Sequence, residues 1–229
     1  MQKSIRTTHE FFNTSKQTSR QNNINIAKQS NLFQDEKLIC SWCELMGSSG
    51  LETLSLLESN SLLLPNSFIG IDIDKSLIDD FSSKRPDLIW YNNNIFDIIP
   101  KLSNVGILNL DIYGNIDNNK DYFDLALLKP LIVNSINKFG EFILFYNKDL
   151  DGVVRERKKV GISLRQHTYK ICEVFNGYLS NRKIDPLSVL PKDSENIIEN
   201  GFTGQVGAYD IYRGKKNGHR MCNLHLIFR

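Results

Sequence analysis

Three acidic side chains, each closing an apolar run or standing in a glycine turn, are the residues of this chain best suited to chemistry. Glu44 lies in the run Leu38 to Met46, which leads into Gly47-Ser48-Ser49-Gly50. Small residues in such a turn let backbone N–H groups approach a ligand with no side chain in the way. Asp72, followed by Ile73 and Asp74, closes the apolar run Phe68-Ile69-Gly70-Ile71. An acid about twenty residues beyond a glycine turn, at the tip of the second strand, is where a nucleoside-binding α/β fold holds a ribose. Asp111 closes Val105-Gly106-Ile107-Leu108-Asn109-Leu110. Ligands and chemistry gather at the carboxyl end of a buried parallel strand of this kind.

Those acids need a frame of alternating strands and helices. Leu38 to Met46 reads as the first strand. Leu51, Leu54 and Leu57 then recur at helical spacing, and that helix stops near Ser59-Asn60-Ser61, with Pro65 beyond it. Phe68 to Ile71 is the second strand, and Ser76 to Phe81 the next helix, capped by Asp74 or Ser76. The third strand, Leu88-Ile89-Trp90-Tyr91, runs into Asn92-Asn93-Asn94-Ile95-Phe96-Asp97. After the fourth strand, Val105 to Asp111, an amphipathic helix is expected over Asp121 to Lys138, bent at Pro130. Phe142 to Tyr146 is the fifth strand, entered through Gly140. Thr168 to Leu179 has a helical stripe, and residues 181–207 are loop-rich. Gly207 to Arg213 and Arg220 to Phe228, joined through Gly214-Lys215-Lys216-Asn217-Gly218, spell a β-hairpin. His225 alternates with Leu224 and Leu226 and is expected on the surface of its strand.

Glu44-Leu45-Met46-Gly47-Ser48-Ser49-Gly50 resembles the first motif of class I S-adenosylmethionine-dependent methyltransferases, with Ser48 where glycine is usual. Asn94-Ile95-Phe96 is similar to the segment with which that family meets adenine. Asp111-Ile112-Tyr113-Gly114-Asn115 resembles its fourth motif, D/N-P-P-Y/F in nucleic-acid amino-methyltransferases and D-P-Y-G in a tRNA guanine-N2 branch, with Ile112 in place of proline. The resemblance implies an α/β fold, a Rossmann-like doubly wound, mostly parallel sheet with a C-terminal antiparallel β-hairpin. It implies S-adenosylmethionine as cofactor, with Glu44, Gly47, Ser48, Ser49 and Gly50 at its methionine part. Asp72 would take the ribose hydroxyls, Ile73 beside it would also bind the cofactor, and Asn94, Ile95 and Phe96 would meet the adenine. Asp111 and Tyr113 would be catalytic, the acid accepting from the amino group being methylated and the ring stacking on a flipped base.

A chain of 229 residues with 41% hydrophobic and 24% charged residues suits one globular α/β domain with appendages. Residues 1–36 read as a polar, basic N-terminal arm carrying Lys3, Arg6, Lys16, Arg20 and Lys28, and residues 37–229 as the domain. Ile24, Ile26, Leu32 and Phe33 suit a short helix or clasp, and the arm suits a protein partner. A net charge of +2 means that nucleic acid must be met by a local patch. The densest basic stretch holds Arg155, Arg157, Lys158, Lys159 and Arg165, either a phosphate-contacting surface or a solvated helix face.

No apolar run approaches the roughly 20 residues that span a bilayer, and no secretion signal opens the chain, so no membrane role is expected. The cytoplasm is the expected location, with an organelle matrix or a virus-infected cell fitting equally. Cys40-Ser41-Trp42-Cys43 is formally C-x-x-C, yet in a strand residues three apart face opposite ways, so buried thiols and no metal site are expected. The chain lacks H-E-x-x-H, G-K-[ST], a nucleophile-elbow serine and G-x-G-x-x-G, which argues against metalloprotease, ATPase, hydrolase and nicotinamide-oxidoreductase chemistry. The function expected is methyl transfer from S-adenosylmethionine to a base of DNA or RNA. The alternative is a catalytically inactive methyltransferase-fold subunit, structural or accessory, of a nucleic-acid-associated complex.

Overall fold

The computed structural model describes residues 14–46, 50–111, 127–149, 204–206, 209–213 and 220–229. The chain enters through α1 (Thr14–Lys28) and a small hairpin, β1 (Phe33–Gln34) and β2 (Lys37–Leu38). There follow β3 (Ser41–Leu45), α2 (Gly50–Ser59), β4 (Phe68–Asp72), α3 (Lys75–Lys84) and β5 (Ile89–Asn92). A short helix α4 (Ile95–Ile98) runs into a 3₁₀ turn, and β6 (Val105–Asp111) comes next. The remaining elements are α5 (Lys129–Phe139), β7 (Phe142–Asp149), β8 (Gly204–Val206), β9 (Tyr209–Arg213) and β10 (Arg220–Phe228).

Among the described residues the main sheet has the order β5-β4-β3-β6-β7-β10-β9-β8. The pairs from β5 through β7 are parallel, whereas β10 is antiparallel to both β7 and β9. This is a Rossmann-like, doubly wound, mostly parallel α/β sheet ending in the antiparallel hairpin β9–β10. The order reverses between β3 and β6, and the carboxyl ends of those two strands flank the switch point where such sheets bind ligands.

Both faces of the parallel strands are covered, which is why they read as apolar runs without alternation. Cys43, Ile69, Ile71, Leu108 and Leu144 pack on one face with Leu131, Ile132 and Ile136 of α5. Trp42, Phe68, Ile107, Ile143 and Phe145 pack on the other with Ile24 and Ala27 of α1, Leu54 and Leu57 of α2 and Phe81 of α3. Gly70 lets Trp90 cross the second face, since a Cβ there would sit 2.6 Å from Trp90 Cε3.

Several elements differ from the sequence reading. The first strand does not run unbroken from Leu38, because Asp35 and Glu36 turn the backbone at positive φ and Leu38 pairs back onto Phe33. The Leu38 and Ile39 amides donate to Leu62 and Leu32, so sheet pairing begins only at Ser41. Pro130 does not bend a helix. It lies in the first turn of α5, where its missing N–H costs nothing, and residues 121–126 of the expected helix lie outside the described residues. Gly140 closes α5 at φ 80°. Residues 204–206, expected in a loop-rich stretch, form β8 at the sheet edge.

His225 is not on a surface. It is buried with its ring edge-on to Phe145, centroids 5.6 Å apart, because β10 is an interior strand between β7 and β9. Among the described residues no helix is long and apolar enough to cross a membrane. The helix expected over Thr168 to Leu179 lies outside the described residues.

Candidate functional site

The carboxyl ends of β4, β5 and β6 bring Asp72, the Asn92–Asn94 turn and Asp111 to one edge of the sheet. Asp72 is 9% exposed, and its Oδ1 accepts from the Asp74 amide at 2.8 Å. Its own carbonyl accepts from the Asn93 amide at 3.0 Å and from Asn92 Nδ2 at 3.1 Å, tying the β4 tip to the β5 tip. Asp74 then caps α3, its Oδ1 accepting from the Ser76 amide at 3.0 Å. Ile73, between the two acids, is 76% exposed, which for an isoleucine beside a buried carboxylate is an apolar surface set next to a polar anchor.

Asn94 serves as the N-cap of α4, its Oδ1 accepting from the Phe96 amide at 3.0 Å. Ile95 turns inward and is buried in the core, while Phe96 is partly buried against the same cluster. Asp111 is half-buried at the end of β6, opposite Asn147 of β7. Gly50 opens α2. Gly47, Ser48, Ser49, Ile112 and Tyr113 lie outside the described residues, as do Arg155, Arg157, Lys158, Lys159 and Arg165.

Glu44 points into the protein and is 2% exposed. Its Oε1 accepts from Thr53 Oγ1 of α2 at 2.8 Å and its Oε2 from Trp42 Nε1 at 3.1 Å. Burial pushes its carboxyl up to about 7, against the pull of the Arg20 charge and of hydrogen bonds from Thr53, Trp42 and Asn109. Arg20, on α1, pairs with Glu52 on α2, both buried.

Asn109 links Glu44 to the next strand, since its Oδ1 accepts from Asn147 Nδ2 at 3.0 Å. Asn147 faces Asn223 in the β7–β10 register. Asn223 Nδ2 donates back to α1, to Asn23 Oδ1 at 2.7 Å and Ser19 Oγ at 3.0 Å. A buried polar band thus crosses four strands under α1. Sequence reasoning missed Thr53, Arg20 and the three asparagines. Their signal is single amides inside apolar strands, a polar residue that burial forces into partnership.

Cys40 and Cys43 fall in the two opposite core clusters, so their sulfurs do not converge. Burial pushes the Cys40 thiol up to about 12 and raises that of Cys43 as well, so neither is a thiolate at neutral pH. Among the described residues no group of three His, Cys, Asp or Glu is placed to hold a metal. A groove of about 710 Å³ runs between α1 and α2, lined by Gln17, Gln21, Leu51, Ser55 and Arg85 among others. None of the strand-tip residues lines it, and the candidate site is taken at the strand tips, where Asp72, the Asn92–Asn94 turn and Asp111 stand, rather than in this groove.

A solved structure named as a candidate methyltransferase, YhhF of Escherichia coli, is similar over 91% of this chain and 84% of that one, at 12% identity and a TM-score of 0.39. No protein-family model matches the chain, and neither does any curated protein.

Proposed function

We propose that the chain is an S-adenosylmethionine-dependent methyltransferase acting on nucleic acid. The observation that carries the reading is Asp72 at the β4 tip, a carboxylate whose orientation is held by the Asp74 amide, with Ile73 exposed beside it. A diol and a flat base make the same paired demand. The carboxylate suits two ribose hydroxyls, each charge-assisted bond worth roughly 1.5–3 kcal/mol, and the isoleucine suits one face of adenine. In this reading the start of α2 would offer backbone N–H groups and the positive end of the helix to the methionine carboxylate.

When bound, S-adenosylmethionine supplies a methyl group on a positively charged sulfur, and transfer needs mainly an in-line nucleophile. Asp111 stands at the carboxyl end of β6, one of the two strands that flank the sheet's switch point. In this reading it accepts a hydrogen bond from the acceptor's amino group, orienting the nitrogen lone pair, and Tyr113 stacks on the base. Arg155, Arg157, Lys158, Lys159 and Arg165 contact phosphates. Ser48 and Ile112, which depart from the family's motifs, favour the second reading, a methyltransferase-fold subunit without catalysis.

Calorimetric titration with S-adenosylmethionine and S-adenosylhomocysteine tests the cofactor. Wild type should bind, and Asp72→Ala should weaken binding by roughly tenfold or more. A folded wild type that binds neither compound would sink the enzyme reading for the isolated chain and favour the accessory one.

A further inference from the structure

We infer that Glu44 is a positioning residue, whose carboxylate accepts from Thr53 and so sets the first turn of α2 against the sheet. For the ligand this rests on the methyltransferase reading; for the turn it rests on geometry alone.

Glu44 cannot itself reach a ligand, being 2% exposed with one oxygen on Thr53 and the other on Trp42. Thr53 lies in the opening turn of α2, one turn from Gly50. The amides that would meet a carboxylate therefore hang on a hydroxyl whose partner is Glu44. Replacing buried ionic groups by apolar residues of similar volume is often neutral or stabilising, so a buried carboxylate here asks for a reason beyond stability. Positioning supplies it, because an ionised carboxylate accepts from Thr53, Trp42 and Asn109 together, whereas the protonated form turns one of its lone-pair positions into a donor.

Among the described residues, Arg20 of α1 is the charge that acts on Glu44, and it is itself paired with Glu52 of α2. On the sheet, Asp72 and Asp111 stand at neighbouring strand tips, and His225 lies at the far end of the polar band. Arg20 is the neighbour that opposes protonation of Glu44. Helix α1 thereby acts on the first turn of α2 in two ways, through the Arg20–Glu52 pair and through the Arg20 charge near Glu44.

The test compares wild type, Glu44→Gln and Thr53→Val at pH 6 and pH 8, by calorimetry with S-adenosylhomocysteine, thermal midpoint, and amide exchange corrected for intrinsic rate. With the charged form as the competent one and Glu44 titrating near 7, wild-type affinity should rise about tenfold from pH 6 to pH 8. Glu44→Gln should lose that dependence and bind more weakly at pH 8, while its thermal midpoint there rises. A merely structural Glu44 would lower stability and affinity together. Thr53→Val should weaken binding in the same way from the other side of the contact.

Exchange at Leu54, Ser55 and Leu56, the first amides that donate to carbonyls within α2, should slow in wild type from pH 6 to pH 8 and stay flat in Glu44→Gln. Equal affinity and equal pH dependence in wild type and Glu44→Gln would overturn the inference. If wild type binds no S-adenosylhomocysteine, the methyltransferase reading falls, and the exchange at those three amides alone decides the role of Glu44, flat protection overturning it.

Discussion

Asp72 and Glu44 are both buried acids near strand ends, yet their surroundings give them different work. Asp72 accepts a hydrogen bond from the Asp74 amide and stands beside an exposed Ile73. Removing its carboxylate takes away the hydrogen bond from the Asp74 amide, so Asp72→Ala should lose ~1 kcal/mol of stability in urea while losing its ligand. Glu44 is instead a titrating group within the fold. Its ordinary value is 4.5 and burial raises it to about 7 in the folded protein, so between those values the folded state holds a proton that the unfolded chain releases. The stability tied to this proton is complete below about pH 4.5 and is lost as pH rises to about 7, on the order of 3 kcal/mol. Glu44→Gln should therefore gain on wild type between pH 5 and pH 8, read from urea midpoints at the two values. A difference that stays constant across that window would contradict the buried ionisation.

The helices that frame the site are set by local chemistry at their ends. Asp74 caps α3 through the Ser76 and Leu77 amides, and Asn94 caps α4. Pro130 in the first turn of α5 and Gly140 at its end show why this helix occupies Lys129–Phe139. Gly140 has φ 80° with open space around its Cβ position, so the penalty for alanine there comes from backbone conformation alone. Gly140→Ala should cost roughly 1–2 kcal/mol, measured as a shift of the urea midpoint with unchanged slope. The Asp74 cap was legible in the sequence because capping is decided within about four residues, whereas Pro130 was expected to bend a longer helix and Asn94 to meet adenine. The inward turn of Ile95 was not legible, since which side of a short helix faces the core depends on where the sheet lies.

Across the whole molecule, α1 joins parts that are far apart in the chain. Its Ser19 and Asn23 hold Asn223, 204 and 200 positions away, and its Arg20 reaches Glu52 and the field around Glu44. Asn223 is fully buried, so Asn223→Ala leaves Asn23 and Ser19 without its amide and should cost roughly 1–3 kcal/mol. Amide exchange should localise that loss to α1 and β10 together, whereas loss confined to β10 would separate them.

By itself the sequence determined the alternation of strands and helices, the α3 cap, the hairpin at the C-terminal end, and the placing of Asp72 and Asp111 at strand tips. Each follows from apolar period, turn residues and capping chemistry, all of which act over a few neighbouring positions. Only the tertiary structure decided that Glu44 faces inward, that His225 is covered, that the first strand starts at Ser41, and that Asn109, Asn147 and Asn223 form one band under α1. Those outcomes depend on strand order and register. A polar side chain in an apolar strand looks the same in sequence whether its strand lies at an edge or in the interior, and only the packed sheet supplies the partner that lets it be buried.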